Sequence, residues 1–221
     1  MTIATYSDLK TAIQNWAVRT DETFTNRIDE FIDLAEDRIH YGAGEPGDPI
    51  YTQPLRLRGM ETTGDLTVSS QSVALPTGFL QERRIYLNTD PKTDLKYLPP
   101  DRFWASSAAV TSTSGQPSVY TIEGTNLIFG PGPDTTYTGK ILYQKKMDAL
   151  SDSATTNWLI INAPGVYLYA CLLEFAIWDR NDEDSLKYLG LLRGRINALV
   201  RQDRISRQPG GALAMVVDRV A

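Results

Sequence analysis

Residues 156–204 constrain the fold more than any other part of the chain. They begin T-N-W-L-I-I-N-A-P-G-V-Y-L-Y-A-C-L-L-E-F-A-I-W, break at D-R-N-D, and continue into an arginine-rich amphipathic segment. Between Val166 and Trp178 only Glu174 is charged. Apolar residues covering more than one helical face belong to a helix packed on several sides. Asn162 is a candidate cap for it, and Pro164 suits a first helical turn. Asp179, Arg180, Asn181 and Asp182 end it. The next helix places Leu189, Leu192, Ile196, Leu199 and Val200 on one stripe. Arg195 and Arg201 flank that stripe, and Arg193 and Arg204 lie near its edge. The chain is expected to fold around this helical hairpin.

The apolar run from Trp158 to Trp178 is interrupted by Asn162, Pro164 and Glu174. Its unbroken part falls short of the ~20 residues of a membrane span, so no membrane helix is expected. Met1 is followed by T-I-A-T-Y-S-D, which has neither a basic start nor an apolar core, so no secretory leader is expected. The single cysteine, Cys171, lies inside the apolar helix and has no Cys or His at metal-ligand spacing.

The net charge of −5 is unevenly placed. Residues 21–40 hold seven acids and two arginines, whereas residues 190–221 hold six arginines and two aspartates. Such asymmetry points to surfaces of opposite sign that meet, within the molecule or between copies. An acidic total argues against a dedicated nucleic-acid binder.

In chain order, Ser7 is expected to cap a first helix with Leu9, Ala12, Ile13, Trp16 and Ala17 on one face. Arg19-Thr20-Asp21 breaks it. A second helix follows, with Phe24, Ile28, Phe31, Ile32, Ala35 and Ile39 in helical spacing. Its far side carries Asp29, Glu30, Asp33, Glu36 and Asp37, read as a solvated face or as one turned to a basic neighbour or a water-filled channel. The Gly- and Pro-rich residues 42–54 mark a loop. Residues 55–147 read mainly as strands. Among them is a hairpin at 119–129 around Glu123-Gly124-Thr125-Asn126, followed by a tight reversal at Gly130-Pro131-Gly132-Pro133-Asp134. Leu213, Met215 and Val217 alternate in an apolar tail, as a strand added to another chain's sheet edge would.

The expected fold is therefore α+β: a helical bundle built from N- and C-terminal helices, with an inserted antiparallel β domain. The expected boundaries are 1–54 for the N-terminal helices and linker, 55–147 for the β domain, 148–208 for the C-terminal helices and 209–221 for an extended tail.

Signatures of catalysis are weak. Gly42-x-Gly44-x-x-Gly47 matches a dinucleotide fingerprint formally, but it follows a helix, and Pro46 and Pro49 disfavour the helix that should receive the pyrophosphate. His40, the only histidine, ends the acidic helix, where a cation is electrostatically comfortable. The i, i+4 pair Asp33/Asp37 lacks the apolar pocket that a catalytic acid needs. No catalytic, cofactor-binding or metal-binding residue is assigned, and no cofactor is expected.

Several blocks in order carry a resemblance: T-Y-S-D-L-K-T-A-I from Thr5, I-D-E-F-I-D-L-A-E-D-R-I from Ile28, L-R-L-R-G-M-E from Leu55, V-A-L-P-T-G-F-L from Val73, Y-T-I-E-G-T-N-L-I-F-G-P-G-P-D from Tyr120, and residues 156–174. Over about residues 3–205 the chain resembles the head-to-tail adaptor (connector) proteins of tailed bacteriophages, the ring beneath the portal. Residues 42–54 lengthen the family's link, and residues after Pro209 lie outside the matched blocks. The resemblance implies a non-enzymatic virion protein forming a homo-oligomeric ring of twelve copies. Such a ring extends the portal channel, passes genomic DNA at ejection and docks tail nozzle or fibre proteins. It implies a place at the head-tail junction, and in the host cytoplasm during assembly.

Charge and pattern assign portal contact to Arg201, Arg204, Arg207, Leu213, Met215 and Val217. The β region is expected to meet tail or fibre proteins. Two other readings stand beside this one. A carbohydrate-binding module would stack sugars on Tyr86, Tyr97, Trp104, Tyr120 and Tyr137, and a hydrolase would use paired carboxylates.

Overall fold

The computed structural model describes residues 2–106 and 114–207. The chain divides into two compact units, one drawn from Met1–Arg58 and Asp148–Ala221, the other from Gly59–Met147. The architecture is α+β, with N- and C-terminal helices flanking a β region in the chain.

The first unit contains α1 (Tyr6–Ala17), α2 (Glu22–Thr25), α3 (Ile28–Tyr41), α5 (Trp158–Asn162), α6 (Pro164–Trp178) and α7 (Asp182–Ser206). Thr5, not Ser7, caps α1. Its hydroxyl accepts the Asp8 N–H at 3.2 Å, and the Asp8 carboxylate accepts the Thr5 N–H at 3.0 Å. This reciprocal box selects Thr5 because the acid stands three residues after it. The second expected helix is two helices, since α2 is capped by Asp21 and ends at Thr25. Asn157 caps α5 by accepting from Leu159 and Ile160 N–H, both at 3.1 Å. Asn162 does not cap α6. Its side chain donates back to the Trp158 carbonyl at 2.7 Å, closing α5, and Pro164 opens α6.

Helix α6 is buried nearly all round because α1, α3, α5 and α7 all pack against it. Phe24 and Phe31 meet Phe175 at ring-centroid distances of 4.9 and 6.1 Å, in edge-on geometry that suits aromatic quadrupoles. Leu189, Leu192 and Ile196 of α7 are buried, as their stripe requires. Glu174, the one charge of α6, is paired with Arg38 of α3, and both side chains are largely buried. An ion removed from water needs such a partner.

The second unit holds two four-stranded sheets. One has the order β1 (Glu61–Val68), β8 (Tyr137–Lys145), β3 (Phe79–Leu87), β4 (Thr93–Asp94). The other has β2 (Ser72–Ala74), β7 (Asn126–Gly130), β6 (Val119–Glu123), β5 (Lys96–Tyr97). All pairs are antiparallel except β5 with β6. The short helix α4 (Pro100–Ala105) follows β5. Alternating residues of both sheets, including Leu66, Ile85, Leu127, Phe129 and Ile141, share one core. Gly139 lies where β8 passes β3, and a side chain there would collide with the Tyr86 carbonyl.

Candidate interaction surfaces

The acidic helix is α3, and the structure separates its acids into two groups. Asp29, Glu30, Asp33 and Asp37 are exposed. Asp29 accepts the Tyr6 hydroxyl at 2.8 Å and pairs with Lys10 at 3.2 Å. Burial, and then the Asp29 hydrogen bond, push the Tyr6 hydroxyl pKa well up. Glu30 pairs with Arg27 at 2.9 Å. Leu34 and Tyr41 stand on the same outward face, 52 % and 61 % exposed.

Glu36 does not belong to that face, and its assignment to a channel or subunit interface is corrected. It is 3 % exposed. Its Oε1 accepts the Leu150 N–H at 2.9 Å and the Tyr167 hydroxyl at 3.1 Å. On a helical wheel Glu36 borders the apolar stripe, and the segment after the β region closes over it. Asn157 completes the cluster, donating through Nδ2 to the Tyr167 hydroxyl at 2.6 Å and to the Asp148 carbonyl at 2.9 Å. Burial and then the Glu36 charge raise the Tyr167 pKa far above its ordinary value. Burial likewise raises the thiol pKa of Cys171, which is fully enclosed. A buried, protonated thiol is inert as a nucleophile. His40 is fully buried too, so the cysteine and the histidine are both withheld from solvent.

The arginines of α7 divide in the same way. Arg201 and Arg204 are exposed and make no ion pair with a described residue. Arg207 pairs with Asp203 at 2.7 Å. Asp203 also accepts the Arg58 N–H at 2.9 Å. Its partial burial acts to raise the carboxyl pKa, but the hydrogen bonds from Arg58 and Arg207 outweigh this and hold it below the usual value. Leu213, Met215 and Val217 lie outside the described residues.

Arg193 has a role that sequence reading missed. Its guanidinium donates to the carbonyls of Tyr51 and Pro49, both at 2.6 Å, and of Asp48 at 3.3 Å. It therefore clamps the Gly/Pro-rich loop onto α7. The only signal in the sequence was its position at the edge of the apolar stripe. Gly42 begins this loop at φ 78°, with the Thr52 carbonyl 2.5 Å from where a Cβ would stand. The glycines thus serve a reversal after a helix, with none of the strand-to-helix geometry that a dinucleotide requires. Arg195, Pro164 and Leu199 line a cleft of about 360 Å³ where the start of α6 meets α7.

In the β unit the aromatic residues of the carbohydrate-binding reading have different surroundings. Tyr120 is buried in the sheet core. The Tyr86 ring lies under Arg84 and Lys92, each 5.2 Å from its centroid. Tyr137 donates its hydroxyl to Asp134. Tyr97 and Trp104 are exposed, with the Trp104 indole N–H donated to Glu123. Among the described residues no group of three or more His, Cys, Asp or Glu is placed to hold a metal ion, and no helix is long and apolar enough to cross a membrane.

Compared with known proteins, the chain matches the model of one family, described as SU10 adaptor protein, over residues 4–215. No curated protein matches it.

Proposed function

The chain belongs to the SU10 adaptor protein family, a family of phage structural adaptors, and on that premise we propose that it forms the ring beneath the portal at the head-tail junction of the virion. The ring extends the DNA channel, passes the genome at ejection and docks tail components. It has no enzymatic role. The observation that carries this reading is the family match over residues 4–215, which takes in both units.

The physical chemistry supports the reading. Arg204, exposed near the C-terminal end of α7, suits an acidic partner surface. In this proposal it contacts the portal together with Arg207 and the tail residues Leu213, Met215 and Val217. The β unit, with Tyr97 and Trp104 exposed, meets tail nozzle or fibre proteins. Twelve copies is the number taken for the ring. The hydrolase reading loses ground because Asp33 and Asp37 are exposed, and the buried helix acids are committed, Glu36 to Leu150 and Tyr167 and Glu174 to Arg38.

Two measurements test the proposal. Light scattering and electron microscopy of the purified protein, alone and with portal, should show a closed ring in at least the second case. A chain that remains monomeric in both refutes the ring. Deleting residues 209–221 should abolish portal binding, and unchanged binding refutes the assignment of the tail.

A further inference from the structure

Helices α3 and α7 both pack on α6, and each turns a face away from the unit. The two faces differ in sign and match in character. The outward face of α3 carries Glu30, Asp33 and Asp37 around the exposed apolar side chains of Leu34 and Tyr41. The outward face of α7 lies opposite its buried stripe. It carries Arg201 beside Leu191 and Ile205, which are 40 % and 60 % exposed.

Between these apolar side chains α7 is flat. Gly190 and Gly194 stand one turn apart on this face, and a Cβ built on either meets nothing within 4 Å. Glycine weakens an exposed helix interior, and among the described residues no close approach calls for it at either position. The missing side chains leave a shallow groove along which a second helix can approach closely.

We infer that the α7 face of one copy receives the α3 face of a second copy. The inference rests on the ring reading above and names the surfaces that would build it. Charge selects the occupant: the groove ends in Arg201, which makes no ion pair with a described residue, and this chain itself carries the acidic helix, with apolar side chains at its centre, that complements it. An apolar centre with a charged rim is the ordinary anatomy of a protein interface. The two faces lie on different helices, so the contact is heterologous. Each copy offers one donor face and one acceptor face, and repetition closes a ring.

Two substitutions block one face each without entering the core. Gly194→Trp fills the groove of α7, where the space is open. Leu34→Arg removes the exposed apolar centre of α3. Circular dichroism and a thermal melt check that each variant folds like the wild type. Mass photometry is run under the condition, alone or with portal, in which the wild type assembles. Each variant by itself should lose assembly. Mixed, the two should give one-to-one dimers and nothing larger, because the intact α3 face of the Gly194→Trp protein fits the intact α7 face of the Leu34→Arg protein. Either variant assembling as the wild type does overturns the contact and leaves the ring reading standing, as does a mixture without dimers. A wild-type chain that never assembles overturns the ring reading and the contact with it.

Discussion

Replacing Glu36 by Ala should destabilise the helical unit by about 3 kcal/mol, an estimate built from two hydrogen bonds in a site closed to water. Leu150 N–H loses the acceptor 2.9 Å away and is left unpaired by that loss, at about 1–3 kcal/mol. The Tyr167 hydroxyl keeps the donor from Asn157 but loses its own acceptor, which adds about 1 kcal/mol. For a unit of this size the melting midpoint should fall by roughly 10 °C. Glu36→Gln keeps a carbonyl oxygen within reach of both donors, so its loss should be smaller, about 1–2 kcal/mol. Urea titrations followed by far-ultraviolet circular dichroism measure both. The thiol of Cys171 supplies an independent reading, because it is enclosed in the same core and reacts with a disulfide reagent only when the unit opens. Glu36→Ala should speed that reaction, and Glu36→Gln should speed it less. A loss under about 0.5 kcal/mol for the alanine variant, or a glutamine variant weaker than it, refutes the reasoning.

Three other outcomes follow from the same structure. Arg38→Ala leaves the Glu174 carboxylate largely buried without its partner. It should cost about 3–5 kcal/mol by chemical denaturation, far more than removing an exposed pair such as Arg27–Glu30. Asp203→Asn should destabilise the protein at neutral pH, and less so in acid. The folded-state pKa of Asp203 is depressed, so its contribution is fully present above the unfolded value of about 4 and is lost as pH falls through the folded value. Melts of variant and wild type from pH 7 to pH 3 should converge, and a constant difference argues against it. Thr5→Ala removes the capping box of α1 and should lower stability by about 1 kcal/mol, whereas Ser7→Ala should change it by less than about 0.5 kcal/mol, in the same titration.

The parts of the fold that were legible in the sequence are those fixed by local pattern. The uninterrupted apolar character of α6 announces a helix packed on several sides. The spacing of Leu189, Leu192 and Ile196 gives the buried stripe of α7. Glu123-Gly124-Thr125-Asn126 marks the hairpin of β6 and β7. What escaped depends on partners distant in sequence. Glu36 reads as one more acid on a charged face because the groups that bury it, Leu150 and Tyr167, lie more than a hundred positions later. Arg193 reads as a surface arginine because its partners are backbone carbonyls of a loop, which have no signature in residue type. The caps slipped where two capping residues stand near each other, as Thr5 and Ser7 do, and a neighbouring acid decides between them. Of the residues assigned to portal contact, only Arg201, Arg204 and Arg207 fall within the described residues, and Arg207 is already paired to Asp203.

The insertion of the β unit between α3 and α5 has a consequence for how the protein is made. Helices α1 and α3 find their main partner in α6, and the bond from Leu150 to Glu36 joins residues 114 positions apart. At synthesis rates of about 5–20 residues per second, the apolar faces of the first helices wait roughly 7–27 seconds for that partner to be made. The β unit has its sheets and core within Gly59–Met147 and need not wait. On the ribosome it folds first, and the two ends of the chain close into the bundle only afterwards, which makes the N-terminal helices the segment most in need of chaperone cover during translation.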